Sequence, residues 1–330
     1  MDSYDVEMDS DNDDVEVDSD DAEFFDSTSL LAALHGHDEL LHRMILYKAD
    51  VEARDASGMS LLMIAATHGR VECMKVLLDH KANVGTRDPR GFTALIKAAR
   101  TGEATSVQLL IDHKAKIEAK VICGMTALMA ASREGHTACT KILIQAKANL
   151  EATEAGGFTA LIAAASHGHG ACTKLLVEAK ANHAARERHG NFALVLAAKP
   201  GYTDCVHALV DGKASLEARD VDGVTALLWA AKRGHLGCVR ALIDGKANVN
   251  AKDPSGMTVL ATAASEGHTA CLQVLIDAKA NVNAKRPDNM TILMGAAANG
   301  AHECLQVLLA AKADVDAKND AGMTALFAAR

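Results

Sequence analysis

Cysteine is the residue type whose spacing in this sequence could most readily support chemistry. Cysteines that recur once in each layer of packed helices lie roughly 8–10 Å apart. A disulfide needs α-carbons within about 7 Å, and zinc needs its ligand atoms at about 2.0–2.3 Å. We therefore expect a column of buried, reduced thiols rather than a ladder of disulfides or metal sites. Seven of the eight cysteines occupy one position of a 33-residue period, namely Cys73, Cys139, Cys172, Cys205, Cys238, Cys271 and Cys304.

The other candidate reactive groups are one cysteine and a set of histidines. Cys123 lies off the cysteine column and is the thiol we expect to react first, although no base is close to it in sequence. Four histidines, which recur with the same period, cannot share a metal between layers for the same reason of spacing: His136, His169, His235 and His268. The sequence has no phosphate-binding glycine loop and no nucleophile elbow. We expect no catalytic residue, no cofactor and no metal, and hence no enzyme.

Glycine sets the period that positions these residues. One glycine column is interrupted only by Asn289, and Asn is the residue that best replaces glycine at positive φ. A second column has no exception. The first contains Gly58, Gly91, Gly124, Gly157, Gly190, Gly223, Gly256 and Gly322, and the second contains Gly36, Gly69, Gly102, Gly135, Gly168, Gly201, Gly234, Gly267 and Gly300.

Each period contains two short helical patterns. In GFTALIKAARTG (91–102), the Thr is suited to cap a helix N-terminus and the second Gly to end the helix about two turns later. In HTACTKILIQAKANL (136–150), apolar residues recur at helical spacing. Each unit therefore predicts a helix, a tight turn, a second helix and a polar hairpin. A column of alanines from Ala65 to Ala329 allows neighbouring units to pack closely.

This pattern resembles the ankyrin repeat over residues 25–330. The family consensus runs G-x-T-P-L-H-x-A-A-x-x-G-H, followed by an apolar second helix, L-L-x-x-G-A-D-V-N-A and D-x-x-G. The resemblance implies an all-α repeat solenoid of stacked helix-turn-helix units with protruding β-hairpin or loop fingers, and a structural role for the four histidines. We assign 1–26 to a disordered acidic tail, 27–57 to a divergent capping unit, 58–321 to eight repeats of 33 residues, and 322–330 to a truncated repeat.

The sequence departs from the family at two positions. The Pro and His after the capping Thr are replaced, for example by Ala94 and Ile96, so the first helix must rely on packing. The glycine after the second helix is a lysine in every unit: Lys48, Lys81, Lys114, Lys147, Lys180, Lys213, Lys246, Lys279 and Lys312. A cation there stabilises the helix dipole by about 0.3–1 kcal/mol. If the left-handed conformation is kept, losing glycine costs about 1 kcal/mol, so the two effects nearly cancel.

By resemblance, partner-binding residues lie at the hairpin tips and along the first helix. The hairpin basic column, broken by Thr153, comprises Arg54, Arg87, Lys120, Arg186, Arg219, Lys252, Lys285 and Lys318. The apolar column, which we expect to be exposed, comprises Met59, Phe92, Met125, Phe158, Val224, Met257, Met290 and Met323. The two columns suit a partner with acidic and apolar groups. The alternative is that the basic residues form solvated ion pairs with the Asp that often follows them.

Charge is distributed very unevenly along the chain. The first 26 residues contain 13 Asp and Glu and no Lys or Arg, leaving 30 acids against 34 bases in the remainder. The acidic segment is either a solvating tail or, as a sharper hypothesis, Asp9 to Asp21 competes with an acidic partner for the hairpin basic column. Nucleic acid is a poor partner because pairs of stacking aromatics are missing and the sequence pI is about 5.9.

The function that we expect is that of a protein-binding scaffold or adaptor. With no secretory signal and no apolar run of about 18 residues, we expect an intracellular, cytoplasmic protein without a membrane span, the nucleus being the alternative. Since the chain stops at Arg330 where a first helix ends, with Leu326 and Phe327 half covered, the alternative function is the recognition module of a larger enzyme or signalling protein. A small-molecule sensor is the third alternative. Asn250 and Asn283 match the position that an asparaginyl hydroxylase modifies in such hairpins, although a hydrogen-bonding role is favoured there.

Overall fold

The computed structural model describes residues 19–328, with side chains from residue 25 onward. This part of the chain contains helices only, apart from isolated β-bridges. Their bounds are α1 (Ser19–His35), α2 (Asp38–Leu46), α3 (Leu61–Thr67), α4 (Val71–Asp79), α5 (Ala94–Thr101), α6 (Ala104–Asp112), α7 (Ala127–Arg133), α8 (Thr137–Gln145), α9 (Ala160–Ser166), α10 (Gly170–Glu178), α11 (Ala193–Ala198), α12 (Thr203–Asp211), α13 (Ala226–Lys232), α14 (Leu236–Asp244), α15 (Val259–Ser265), α16 (Thr269–Asp277), α17 (Ile292–Ala298), α18 (His302–Ala310) and α19 (Ala325–Ala328).

The odd-numbered helices from α3 to α17 are the first helices of eight units. Seven of these eight helices begin with the capping Ser or Thr that the sequence predicts. There the capping hydroxyl accepts a hydrogen bond from the backbone N–H three residues later, at N–O distances of 3.1 to 3.4 Å. Helix α11 is the exception, since Phe192 precedes it and provides no side-chain cap. An N-cap hydroxyl is worth about 1 kcal/mol, so α11 depends more than its neighbours on packing.

The glycine columns mark left-handed turns. Gly102 has φ of 88°, and a Cβ there would lie 2.6 Å from Nδ1 of His136 in the next unit. Glycine is therefore needed at this position both for its backbone conformation and for the close approach of the neighbouring layer. Asn289, which replaces glycine in the other column, has φ of 56°, as expected.

The lysine that follows each second helix keeps the left-handed conformation. All nine have φ between 61° and 73°. At the first of them, the N–H of Lys48 donates to the carbonyl of Ile45 (3.1 Å) and the N–H of Ala49 donates to that of Met44 (3.0 Å). This is the Schellman arrangement that usually carries glycine. The left-handed conformation is therefore kept. Under this condition, the cost of losing glycine and the benefit of a cation at the helix end nearly cancel.

The core is continuous from the first unit to the last. Each first helix packs on the first helix of the next unit, as with α3, α5 and α7. The alanine column from Ala65 to Ala296 is completely buried, and the seven cysteines of the second helices are at most 1% exposed. Small side chains at both positions let the layers approach without a gap. The structure thus confirms a helical repeat solenoid, and the cysteines belong to its core.

The hairpins between units are very short. Five of them contain a single antiparallel β-bridge, between Arg54 and Ser60, Arg186 and Phe192, Arg219 and Thr225, Lys252 and Thr258, and Lys285 and Thr291. In each case the bridge joins the hairpin basic column to the residue that precedes a first helix. The hairpins therefore lie beside the first helices, and we call the surface between the two the inner groove.

The ends of the described chain differ from the sequence-based expectation at one point. Helix α1 begins at Ser19, inside the segment predicted to be a disordered tail. It is held to its unit by the stacked rings of Phe25 and Tyr47, with centroids 6.3 Å apart, and by a 2.9 Å hydrogen bond from the N–H of Asp50 to Oδ1 of Asp26. The rest of the predicted tail, residues 1–18, lies outside the described residues. At the other end Leu326 and Phe327 are 81% and 58% exposed.

Candidate functional site

Three of the four arginines of the hairpin basic column hold one hairpin to the next, whereas Arg186 bonds to Gly190 in its own hairpin. A guanidinium nitrogen of Arg54 donates to the carbonyl of Arg87 (2.9 Å), one of Arg87 donates to the carbonyl of Lys120 (2.8 Å), and one of Arg219 donates to that of Lys252. All eight residues of this column are exposed. The arginines are therefore accessible at the surface, but three of them already serve as braces between repeats.

The alternative of local ion pairs with the following Asp is wrong for these arginines. The ion pairs found among residues 25–328 do not include Arg54 with Asp55 or Arg219 with Asp220. The carboxylate instead closes the hairpin: Oδ1 of Asp55 accepts hydrogen bonds from the backbone N–H groups of Ser57 and Met59 at 2.9 and 2.8 Å. The Arg donates to a backbone carbonyl of the next hairpin, and the Asp accepts from backbone N–H groups of its own hairpin. These two separate roles account for the recurrent Arg-Asp pair.

The expectation that the apolar column is exposed is also wrong. Phe92 and Met125 are buried, at 7% and 8% exposure. Five others are half-buried: Met59, Phe158, Val224, Met257 and Met290. The physical reason is that the residue before the N-cap folds over the first helices, as shown by the 3.2 Å contact between Sδ of Met59 and Nζ of Lys97. This column forms the floor of the inner groove rather than an open apolar strip.

A buried ion pair lies at the floor of the groove in the second unit. Nζ of Lys97 in α5 is 3.1 Å from Oδ2 of Asp88, and both side chains are less than 5% exposed. Burial would raise the pKa of Asp88, but hydrogen bonds from the N–H of Phe92, from Lys97 and from the N–H of Arg90 outweigh it and lower that pKa. The ring of Phe92 has the cationic groups of Arg90, Lys97 and Arg100 at 5.4, 4.8 and 5.0 Å from its centroid.

Trp229 occupies the position of Lys97 four units further along. Its Nε1–H donates to Oδ2 of Asp220 at 2.7 Å, and Asp220 corresponds to Asp88. Nζ of Lys199 and Nζ of Lys232 lie 4.2 and 5.4 Å from the indole centroid. A cation and an indole N–H thus satisfy the same hairpin carboxylate in two different units.

These contacts reveal a second line of cations that the sequence-based prediction missed. We call it the helix basic column: Arg100, Arg133, Lys199 and Lys232, interrupted by Ser166, each at the end of a first helix and bordering the inner groove. Arg133, Lys199 and Lys232 are exposed. The signal was present in the sequence, because these residues precede the glycines of the uninterrupted column by two positions.

The repeated histidines contact backbone carbonyls, and the repeated cysteines are buried thiols. Nε2 of His136 lies 3.0 Å from the carbonyl oxygen of Arg100, and His169 contacts that of Arg133 in the same way at 2.8 Å. Burial raises the pKa of Cys73 and Cys139 to about 11, so these thiols are poor nucleophiles. Cys123 is exposed. No group of three or more His, Cys, Asp or Glu side chains suited to a metal occurs in the described residues.

Asn250 and Asn283 are exposed and act as acceptors between neighbouring units. Oδ1 of Asn250 accepts from the N–H of Asn281 at 2.8 Å, and Oδ1 of Asn283 accepts from that of Asp314 at 2.9 Å. Glutamates make the same bond at this position in other units, such as Glu118 to Asn149. A hydrogen-bonding role therefore accounts for both side chains, and their hydroxylation stays a prediction.

Stacked helix pairs with hairpins along one side define a repeat solenoid with an elongated binding surface. The chain belongs to the ankyrin-repeat family: the family model described as "Ankyrin repeats (3 copies)" matches residues 29–121, 118–187, 194–286 and 260–330. Ankyrin repeats are generally protein–protein interaction modules and are typically non-catalytic.

Among solved structures, the chain is similar to one entitled "Crystal structure of the ankyrin repeat domain of Bcl-3: a unique member of the IkappaB protein family". The TM-score is 0.58 and the sequences are 30% identical, over 63% of this chain and 95% of that one. No curated protein sequence matches this chain. Within residues 19–328, none of the helices has the length and apolar character to cross a membrane.

Proposed function

We propose that this protein is a scaffold or adaptor that binds an acidic segment of a partner protein in its inner groove. The observation that carries the proposal is the helix basic column, whose exposed members Arg133, Lys199 and Lys232 border the groove. The hairpin basic column faces the same groove from the other side. Complementary charge on a partner would speed association and fix its orientation.

The acid content of the groove supports this choice of partner. The hairpin carboxylates Asp88 and Asp220 are buried and committed to Lys97 and Trp229. Glu154, at the same hairpin position, lies 3.8 Å from Nη1 of Arg133 and offsets part of the charge of that arginine. The half-buried Met59, Phe158, Met257 and Met290 form an adaptable floor for apolar side chains. A partner segment that alternates acidic and apolar residues matches both features.

Peptide selection tests this proposal. Random twelve-residue peptides, displayed so that their C-terminal carboxylate is blocked, are selected for binding to the full chain. We expect Asp and Glu to be enriched among the selected peptides. The test variant carries Arg133→Ser, Lys199→Ser and Lys232→Ser, since Ser166 already occupies this column. The matched control removes the same charge from the second helices, with Lys141→Ser, Lys174→Ser and Arg240→Ser, all exposed.

Acidic enrichment that is lost in the test variant and retained in the control supports the proposal. Equal enrichment in both variants would show that general charge attraction, and not the groove, selects the peptides. Selection of neutral peptides by the unaltered chain would also rule out the proposed partner class.

Competition by the acidic N-terminal segment is a separate prediction. Removal of residues 1–18 is the suitable change, because Phe25 and Asp26 hold α1 in place. If the segment competes, its removal strengthens binding of an acidic peptide at low salt and has little effect at 0.5 M salt, where the Debye length is only about 4–5 Å. Unchanged affinity at both salt concentrations would refute the competition.

A further inference from the structure

The inner groove contains a pocket between the units of α15 and α17. Its volume is about 260 Å³, and its wall includes Met257, Lys285, Arg286, Met290 and Gly295. Typical small-molecule sites have about 300–1,000 Å³. The pocket is therefore the right size for one or two side chains of a bound peptide.

The pocket exists because two positions of this unit differ from those of the filled units. Gly295 takes the place of Lys97 and Trp229, and a Cβ built on it would meet no atom within 4 Å. Arg286 takes the place of Asp88 and Asp220 at the hairpin. Where the units of α5 and α13 place a carboxylate beside a large side chain, this unit has a guanidinium beside open space.

The guanidinium of Arg286 has unused hydrogen-bonding capacity. Its Nε is buried and makes no hydrogen bond within the described residues. A second nitrogen, Nη2, is 3.7 Å from Oδ2 of Asp288, a half-exposed carboxylate beyond hydrogen-bonding distance. The third, Nη1, contacts Sδ of Met290 at 3.8 Å. A buried donor without an acceptor is unfavourable, so an incoming oxygen acceptor gains more here than at an exposed arginine.

The charge of the pocket selects the acceptor. Lys285 and Arg286 line it and no Asp or Glu does, while Met257, Met290 and Ile292 provide apolar walls. A carboxylate can take two parallel hydrogen bonds from one edge of a guanidinium, which makes it the preferred partner of an arginine whose Nε–H is buried and unpaired. The apolar walls fit the side chain next to that carboxylate.

We propose that the Arg286 pocket receives the carboxylate of one Asp or Glu side chain of a partner peptide, with an apolar neighbour in the sequence of that peptide packed on Met257 and Met290. This inference deepens the proposed function and rests on it. It adds one position at which an acidic residue is obligatory, whereas the helix basic column favours acidic residues in general.

The test uses the most enriched displayed peptide, synthesised as its C-terminal amide, and the full chain. We expect Asp or Glu to be fixed at one peptide position beside an apolar residue. Changing that acid to its amide should weaken binding at least about tenfold for the unaltered chain. The same change should have little effect for Arg286→Asn, which introduces the residue type that Asn319 provides at the same hairpin position. Arg240→Asn, on the outer face, serves as the matched control and should behave as the unaltered chain.

A second variant tests the pocket without touching its charge. Gly295→Leu should fill the open space and weaken the peptide at least about tenfold, because Leu196 occupies this helix position in another unit. Circular dichroism checks that the fold is unchanged. Unaltered affinity in folded Gly295→Leu would overturn the proposal.

The outcomes separate the two proposals. If acidic enrichment depends on Arg133, Lys199 and Lys232 but no position depends on Arg286, the pocket assignment is wrong and the proposed function stands. If neither set of residues matters, both fail.

Discussion

The unit of α5 and the unit of α17 use the same two positions in opposite ways. In the former, Asp88 and Lys97 form a buried pair that fills the floor of the groove. In the latter, Arg286 and Gly295 leave a pocket and an unpaired buried Nε–H. The residues that stack the layers are unaffected, since Ala98 and Ala296 are both completely buried. In this solenoid the groove can therefore change locally without a change in the stack beneath it.

The unit of α13 shows a third way of filling the same space. Trp229 satisfies Asp220 through an N–H group rather than a charge. The comparison of filled and open units can therefore be tested by removing each kind of partner in turn. Because a repeat stack need not unfold in one step, local hydrogen exchange of each first helix is the suitable measure of stability.

The largest effect is expected for Asp88→Asn. Asn can still accept the backbone hydrogen bonds of Phe92 and Arg90, but Lys97 then has a buried charge without a counter-charge, which costs about 3–5 kcal/mol. Exchange in α5 should become faster, with little change in α17. Adding Lys97→Ala, the residue found at Ala130, should restore most of the protection, and a double variant as unstable as the single one would contradict this account.

Trp229→Phe should have the next largest effect. The ring is retained, so the contacts of Lys199 and Lys232 with an aromatic face persist, but the carboxylate of Asp220 loses the indole N–H. Loss of a hydrogen bond to a buried charged group costs about 1–3 kcal/mol. Hydrogen exchange in α13 measures it, and an unchanged rate would mean that the backbone N–H groups of Asp222 and Val224 suffice for this carboxylate.

Gly295→Ala should stabilise the open unit by about 0.5–1 kcal/mol, the usual difference between the two residues inside a helix. The methyl group has room, since no atom lies within 4 Å of the added Cβ. Slower exchange in α17 checks this expectation. Ala163→Gly, at the same position in α9, is the reverse change and should destabilise its helix by a similar amount or more.

Replacing the left-handed lysine should have the smallest effect. In Lys114→Gly and Lys312→Gly the relief of backbone strain offsets the loss of the favourable charge at the helix end, so each should change stability by less than about 0.5 kcal/mol. Hydrogen exchange of the preceding second helices, α6 and α18, provides the measurement. A clear difference between them would show that the open unit differs from the filled ones in more than its groove.

Residues that act within one repeat were predictable from the sequence. The turn glycines, the Thr caps and Asn289 follow from local backbone conformation, and the period of 33 exposes them directly. The burial of the cysteine column was also predictable, since apolar spacing defines the inner face of a helix. Counting positions within the period would also have revealed the helix basic column, because its members lie two residues before glycines of the uninterrupted column.

Contacts between repeats were not predictable in this way. Met59 was expected at the surface, yet it is half-buried and its Sδ lies 3.2 Å from Nζ of Lys97 in the next repeat. For Arg54 and its equivalents, pairing with the neighbouring Asp was the alternative to partner binding, whereas they bind carbonyl oxygens a whole repeat away. Each of these contacts depends on where the next layer places its hairpin.

The sequence by itself determined that short helices recur every 33 residues, where each begins and ends, and which small side chains form the core, because local propensity and periodicity are properties of the chain. Only the tertiary structure decided which side chains of the groove meet. Asp88 and Lys97, Asp220 and Trp229, and Arg286 and Gly295 are each nine residues apart. Whether such a pair fills the groove or opens it depends on the packing of hairpin against helix, which no single stretch of sequence contains.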